Sequence, residues 1–293
     1  MAPTVVEGTG LMSNVGVKQS VAIQGEPGAF SHQAALELLG DDVELVHCQG
    51  FDALFDAVAG GHAQRGVVPI ENSLAGSIHE NYDRLSRHGL HIVGEVQLRI
   101  RHCLIVGPGG DETSLRRVHS HPVALAQCRG FFAARPGVEP VAVYDTAGAV
   151  KDMIRAGDST VGAIASCLAA ELYGGRVLME GVEDDPQNFT RFLLLSRDVD
   201  SAVAVNKTSL VFTLQNKPGA LYAALGAFAS RSVDLSKIES RPLRGRPWEY
   251  EFYLDVLGDP AGAAGEAMRE LQAMCHEYRV LGSYVDGLRR PVI

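Results

Sequence analysis

Two periodicities alternate along the first two-thirds of the chain. Short apolar runs of strand length occupy residues 21–24, 66–70, 141–144 and 161–165, and another strand ends at Val118. Between them, apolar residues recur at the spacing of one helix face: Ala34, Ala35 and Leu38 ahead of Gly40; Phe51, Leu54, Phe55 and Val58; Ile78, Tyr82 and Leu85; Ala149, Val150, Met153 and Ile154. Residues 122–132, with Pro122 near the first turn, and residues 167–173 read as two further helices. Residues 91–106 are extended throughout, which predicts two strands with a bend, able to carry the chain between two lobes. Alternation of this kind predicts a mostly parallel sheet with helices on its faces.

Composition shifts at residues 199–206, which read as a linker. Beyond it come a strand (209–214), a helix (220–230), two strands (235–240 and 248–256), a helix (264–278) and a last strand (280–285). That βαββαβ order is ferredoxin-like. The expected division is a disordered tail (1–17), an α/β domain (18–198), the linker (199–206) and a separate small domain (207–286).

Bulk properties narrow the function. A chain of 293 residues buries on the order of 75% of its unfolded surface, enough for more than one domain. The net charge is −9 with no long basic run, which argues against nucleic acid as the main partner. An anionic ligand must then be held by local arginines and backbone amides. Five cysteines are scattered without a CxxC pair, as in a reduced cytoplasmic protein. The first residues lack the basic start and apolar core of a secretory signal. No apolar run approaches the roughly 20 residues that span a bilayer.

The strand-to-helix junctions carry the candidate chemistry. They read "GEPGAFSH" (25–32), "PIENSLAGS" (69–77), "HSHP" (119–122), "YDTA" (144–147) and "IASC" (164–167). Each sets Ser or Thr at or near a helix start, where a hydroxyl caps the helix. Taken together they also suggest a pocket, since ligands of open α/β sheets bind at the carboxyl ends of strands and free N–H groups there favour anions. A small carboxylate or phosphate compound fits. Neither GxGxxG nor GxxxxGK[ST] is present. His119 and His121 share a strand face, but no further ligand cluster stands at metal spacing, so no metal is expected. Cys128 and Cys167 fall on apolar helices and read as core.

The segments "GVVPIENS" (66–73), "SHPVALAQC" (120–128) and "NFTRF" (188–192) resemble the signature segments of prephenate dehydratase. The later "NKPGALYAAL" (216–225) and "KIESRP" (237–242) resemble the GAL and ESRP motifs of the ACT domain that follows it in the amino-acid-regulated enzymes. The resemblance covers about residues 19–285 in the family's order. It departs locally at "NYDRL" (81–85), where relatives often carry a TxDxL-like helix. It implies a two-lobed catalytic domain like periplasmic binding proteins, plus a ferredoxin-like ACT domain, and the tail is too short for a chorismate mutase helix, so a monofunctional enzyme is expected.

The implied reaction removes CO2 and water from prephenate, which carries two carboxylates and a ring hydroxyl, and leaves phenylpyruvate. Aromatisation drives it, so no cofactor is expected. The resemblance implies Thr190 as hydrogen-bond donor to the departing hydroxyl, with Asn72, Ser120 and Gln127 as neutral donors and Ser73 lining the cleft. Glu71 is either a pocket residue or a group orienting Asn72. His121 donates directly or supports a donor. Thr146 binds a carboxylate at its helix start, and the turn at 25–28 brings backbone amides close. Arg191 has the planar fork that suits a carboxylate, yet neighbouring strand residues face opposite ways, so it alternatively pairs with Asp184 or Asp185. In the ACT domain, Gly219, Ala220 and Leu221 approach L-phenylalanine from one subunit, and Glu239, Ser240 and Arg241 complete or couple the site, with Trp248 in the next strand. Feedback implies a homodimer or a pair of dimers. Two rivals remain at this point: the same chemistry on arogenate, which bears an amine where prephenate has a keto group, and a non-catalytic amino-acid sensor.

Overall fold

The computed structural model describes residues 18–199, 204–243 and 245–287. The expected tail (1–17) and residues 200–203 of the expected linker lie outside the described residues.

The first lobe is built from β1 (Gln19–Gln24), α1 (Phe30–Leu39), β2 (Val43–Cys48), α2 (Phe51–Ala59), β3 (Arg65–Asn72), β4 (Gly76–Ser77), α3 (His79–His88) and β5 (His91–Arg99). The chain crosses once and forms the second lobe from β6 (Cys103–Val106), β7 (Arg117–Ser120), α4 (Pro122–Ala126), α5 (Arg129–Ala133), β8 (Glu139–Ala142), α6 (Thr146–Ala156), β9 (Val161–Ala165), α7 (Cys167–Tyr173) and β10 (Arg176–Glu180). It then crosses back as β11 (Phe189–Ser196). The strand orders are β2-β1-β3-β11-β5, with β4 on β3, and β10-β6-β9-β7-β8.

Both sheets are mixed, which corrects the mostly parallel expectation. β1 runs parallel to β2 and β3, and β7 to β8 and β9. β11 begins where β3 and β5 end, so it fits between them only antiparallel, with Thr190 opposite Asn72 on one side and Leu98 on the other. β2 and β10 leave no clear apolar run because they are half-exposed edge strands. The predicted helix at 122–132 is two helices. Asp184 accepts from the backbone N–H groups of Arg129 and Gly130, which caps α5 as a separate start, and the Asp184 N–H bonds to the Gln127 carbonyl.

A disulfide joins Cys103 of β6 to Cys167 at the start of α7, with Cα atoms 5.8 Å apart. It corrects the reading of the cysteines as uniformly reduced and of Cys167 as a plain core residue. The two are 64 residues apart in sequence, so no spacing announces them, and the pairing of β6 beside β9 brings them together.

Residues 204–287 contribute β12 (Lys207–Thr213), α8 (Ala220–Ala229), β13 (Leu235–Pro242), β14 (Tyr250–Leu257), α9 (Ala263–Met274) and β15 (Glu277–Tyr284). Their antiparallel order β13-β14-β12-β15 is the ferredoxin-like one. One face buries Leu210, Phe212, Leu254 and Val256 under α8 and α9. The opposite face lies on the first lobe, where Val211, Tyr253, Leu281 and Tyr284 share one core with Tyr82, Leu85, Ile92 and Leu193. The backbones approach so closely that a Cβ on Gly282 would stand 2.0 Å from the Ile92 carbonyl oxygen. Trp248, expected in a strand, instead sits in the turn before β14 with φ 68° and is 79% exposed.

Strand alternation on β11 sorts the molecule. Phe192 and Leu194 pack towards α1, with Val21, Ala34 and Val96. Leu193 and Leu195 point the other way, into the core shared with the third sheet. Thr190 therefore belongs to the face towards the cleft, and Arg191 to the face towards residues 204–287.

Candidate active site

The two crossings meet at the base of the cleft. Ile100 donates its N–H to the Asn188 carbonyl, and Gly181 and Val182 donate to the His102 carbonyl. The His102 N–H is held by the Glu183 carboxylate at 2.9 Å. This bracing places Asn188, Thr190, His102 and Gln127 side by side. The cleft between the lobes encloses about 310 Å³ and is lined by Asn72, Gln127, Thr190, His102, His121, Asp145, Thr146, Ser31 and Gln24, with apolar Phe30, Ile100 and Phe192.

A directed chain of amides organises the Thr190 hydroxyl. The N–H groups of Leu74 and Ala75 donate to Asn72 Oδ1 at 3.0 and 2.8 Å, which fixes which end of that amide is oxygen. Asn72 Nδ2 then donates to Thr190 Oγ1 at 2.9 Å and to Asn188 Oδ1 at 2.7 Å. Asn188 Nδ2 donates to Gln127 Oε1 at 3.0 Å, and His102 Nε2 meets the same oxygen at 3.0 Å. Because Gln127 Oε1 is the acceptor, His102 carries its proton on Nε2. Thr190 accepts from Asn72, so its own proton is available to a group in the cleft. The Gln127 Nε2 donor is likewise left for the cleft.

Burial holds the His102 imidazole below its ordinary pKa, partly countered by the Gln127 hydrogen bond and the Glu183 charge. Burial therefore favours the neutral ring, and its Nε2–H still supplies the donor that Gln127 Oε1 accepts. An unfolded histidine takes a proton below about pH 6.5, whereas the folded one resists it to lower pH. Its stabilising contribution is therefore complete above that pH and is lost as pH falls through the folded pKa. The melting temperature of wild type is expected to fall more steeply below about pH 6.5 than that of His102→Gln. Parallel slopes in a pH series of thermal melts would contradict a buried neutral His102.

The sequence-derived site residues separate into two groups. Asn72, Gln127, His121, Thr146 and Thr190 line the cleft. Ser120, Glu71, Ser73 and Arg191 are not among the lining residues. Ser120 is fully buried, and its hydroxyl donates to the Ile164 carbonyl at 2.6 Å. Ser73 ties the β3 turn to the incoming β11 through the Gln187 carbonyl and the Phe189 N–H. Glu71 alternates with Asn72 on β3 and faces away, to Lys237 Nζ at 2.9 Å. Arg191 pairs with neither Asp184 nor Asp185: its Nε meets Glu95 at 2.7 Å and its Nη1 meets Asp255 at 2.6 Å. No lysine or arginine lines the cleft among the described residues, so the expected local arginines are not found there. Sequence reasoning missed His102, Asp145 and Asn188. Asn188 stood in view beside the TRF segment, whereas His102 hid inside an extended apolar stretch.

The turn at 25–28 joins the lobes on the other side. Ser166 of the second lobe caps α7 and donates to the Gly28 carbonyl, and Lys151 Nζ pairs with Glu26 at 2.9 Å. Gly28 has φ +88°, and a Cβ there would lie 2.7 Å from Ala169 Cα. Gly28→Ala is expected to destabilise by at least about 2 kcal/mol, because backbone strain and overpacking each cost about 1–3 kcal/mol. Urea unfolding checks this, and a change within about 0.5 kcal/mol, the range of an ordinary surface substitution, would contradict the close approach.

The residues expected at an effector site are not gathered within one chain. Ala220 and Leu221 line a hollow of about 100 Å³ with Asn216 and Tyr250, and Gly219 caps α8 with φ 83°. Glu239 and Arg241 lie on the face of β13 turned to the first lobe. Glu239 accepts from Ser77 at 2.6 Å, and Arg241 lies 3.4 Å from Asp83. Ser240, between them, is exposed.

The family model for prephenate dehydratase matches residues 21–200. A relative in Arabidopsis thaliana, arogenate dehydratase/prephenate dehydratase 2, chloroplastic, is 45% identical over 281 residues, covering 92% of this chain and 73% of the relative. The chain belongs to the prephenate dehydratase family. It is accordingly an enzyme of lyase type, and its fold matches solved dehydratase structures, with a two-lobed domain like periplasmic binding proteins. The prephenate dehydratase from Arthrobacter aurescens in complex with L-Phe superposes with a TM-score of 0.83 at 30% identity, covering 94% of this chain and 92% of that one. A structure named GqqA, a quorum quenching acylase, superposes with a TM-score of 0.84 at 38% identity, covering 93% of this chain and 100% of that one. The expectation of a cytoplasmic protein is overturned by dehydratase relatives named chloroplastic. Cysteine spacing reports at most on redox conditions and carries no compartment address. Among the described residues, no helix is long and apolar enough to cross a membrane.

Proposed function

We propose that this chain dehydrates and decarboxylates arogenate, with prephenate as an alternative substrate of the same cleft. Membership of the dehydratase family supports the reaction, and the relatives named arogenate dehydratase support the amine-bearing substrate. The observation that carries the mechanism is the amide chain from Asn72 to Thr190, which leaves the Thr190 proton for the cleft. In this reading the leaving ring hydroxyl accepts that hydrogen bond as its C–O bond breaks. The ring carboxylate departs as CO2, and its electron pair completes the aromatic ring. Arogenate then yields phenylalanine, and prephenate yields phenylpyruvate. Gln127 Nε2 is a second preorganised donor, and the apolar walls exclude water, where such donors act most strongly. Thr146 and the backbone at the start of α6 hold a substrate carboxylate.

An acylase reading needs a hydroxyl activated by a base. Thr190 Oγ1 receives a hydrogen bond from an amide donor, and none of its described partners is a base. That favours a donor over a nucleophile.

In the same reading, residues 18–198 are the catalytic domain, joined by a linker (199–206) to an ACT regulatory domain (207–286). The relative solved with L-Phe supports phenylalanine as effector. Since Gly219 to Leu221 and Glu239 to Arg241 are separate within one chain, the effector site is completed between subunits of a homodimer or a pair of dimers. Steady-state turnover of arogenate and of prephenate, each with and without L-phenylalanine, tests the proposal. Turnover slowed by phenylalanine is the expected result. Phenylalanine binding without turnover of either compound would favour a sensor.

A further inference from the structure

Asp145 is an anomaly in a cleft meant for anions. It lines the cleft, is 8% exposed, and is the one carboxylate among the described lining residues. The amine-free substrate would bring two more carboxylates beside it. No lysine or arginine is described pairing with it: Lys151, on the same helix, is committed to Glu26, and His121, which lines the same cleft, favours the Asp145 charge less than burial opposes it. Its oxygens are partly occupied by backbone donors. Oδ1 accepts from Gly148 N at 2.7 Å as the cap of α6, and the Glu26 N–H donates to the same carboxylate. A carboxylate has about four lone-pair sites, so acceptor capacity remains.

Capping α6 does not require this charge, since asparagine and serine cap as well as aspartate. Burying a charge is costly, and burial raises the Asp145 pKa with help from the Glu26 charge, against the smaller effects of its two backbone donors and of His121. A cationic group arriving with the ligand removes that cost. Gly25, from the opposite lobe, leaves room for the carboxylate: its φ is +97° and a Cβ there would lie 2.6 Å from Asp145 Oδ2.

We propose that Asp145 is the specificity-determining residue of the cleft and pairs with the ammonium group of the amine-bearing substrate. This rests on the dehydratase reading above. The pairing makes arogenate, with two carboxylates and one ammonium, the better ligand. Prephenate places its keto oxygen against the Asp145 carboxylate and is disfavoured by like-charge and lone-pair repulsion.

The test compares kcat/KM for arogenate and prephenate in the wild-type chain and in Asp145→Asn, which keeps the cap and the shape. Asparagine is expected to lower arogenate kcat/KM by about 100-fold, the scale of losing one partner of a buried charge pair, while prephenate kcat/KM rises as the repulsion is removed. If Asp145→Asn fails to fold, Asp145→Ser carries the same comparison with another good cap. Equal loss on both substrates would overturn the proposal and leave Asp145 as a cap and lobe contact. A wild-type preference for prephenate would overturn it as well. Inactivity of wild type on both compounds would instead sink the dehydratase reading itself.

Discussion

Thr190→Val is expected to fold like wild type and to lose about 10²- to 10³-fold in kcat, the range reported by removing one preorganised donor from an active site. Valine keeps the branched shape that suits a strand and removes only the hydroxyl. Asn72 is not orphaned by the change, because its amide still donates to Asn188 Oδ1 and the Phe189 carbonyl. The loss therefore reports the Thr190 proton and not a collapse of the network. Thr190→Ser, which restores a donor, is expected to recover most of the activity. Threonine is a very weak acid, so its expected role is a hydrogen bond that strengthens as the C–O bond breaks, with no free alkoxide. A Thr190→Val variant within about threefold of wild-type kcat, a change worth under 1 kcal/mol, would contradict that role.

Arg191→Leu is expected to cost about 3–5 kcal/mol of stability, the scale of removing one partner from a buried ion network. Arg191 bridges Glu95 of β5 and Asp255 of β14, and its Nη2 reaches the Tyr284 hydroxyl at 3.0 Å. Lys207 adds a second buried cation, 2.9 Å from Glu95. Burial works against the Arg191 charge, but Asp255, Tyr284 and Glu95 outweigh it and hold its pKa above the usual value. Leucine strands two buried carboxylates with one remaining lysine. Arg191→Lys keeps a charge but not the fork, and is expected to recover only part of the loss. Urea unfolding of the three proteins checks the order. A loss below about 1 kcal/mol for leucine, as for an exposed salt bridge, would contradict a buried network between the first lobe and the third sheet.

The adjacent residues Thr190 and Arg191 show how far the sequence reading reached. Alternation along a strand was enough to say that they face opposite ways, and they do. It could not say what lies behind Arg191, because Glu95 and Asp255 are 96 and 64 residues away and belong to different sheets. The same long-range pairing hid the Cys103–Cys167 disulfide. Helix and strand positions with strong periodicity, such as α2 and β9, were legible because one face or the whole strand is buried. The edge strands β2 and β10 were not, since a half-exposed edge carries little apolar signal. Within the cleft, Asn72, Gln127 and Thr190 were legible through their motifs. His102 and Asp145 were obscured because burial gives them their character, and burial is a property of the folded chain.

The most direct measurement is the stoichiometry of CO2 and aromatic product formed from arogenate by purified wild type and Thr190→Val in parallel. One CO2 is expected for each phenylalanine formed by wild type, and almost none of either from the valine variant. Equal rates from the two proteins, or consumption of arogenate without matched CO2 and phenylalanine, would contradict this expectation.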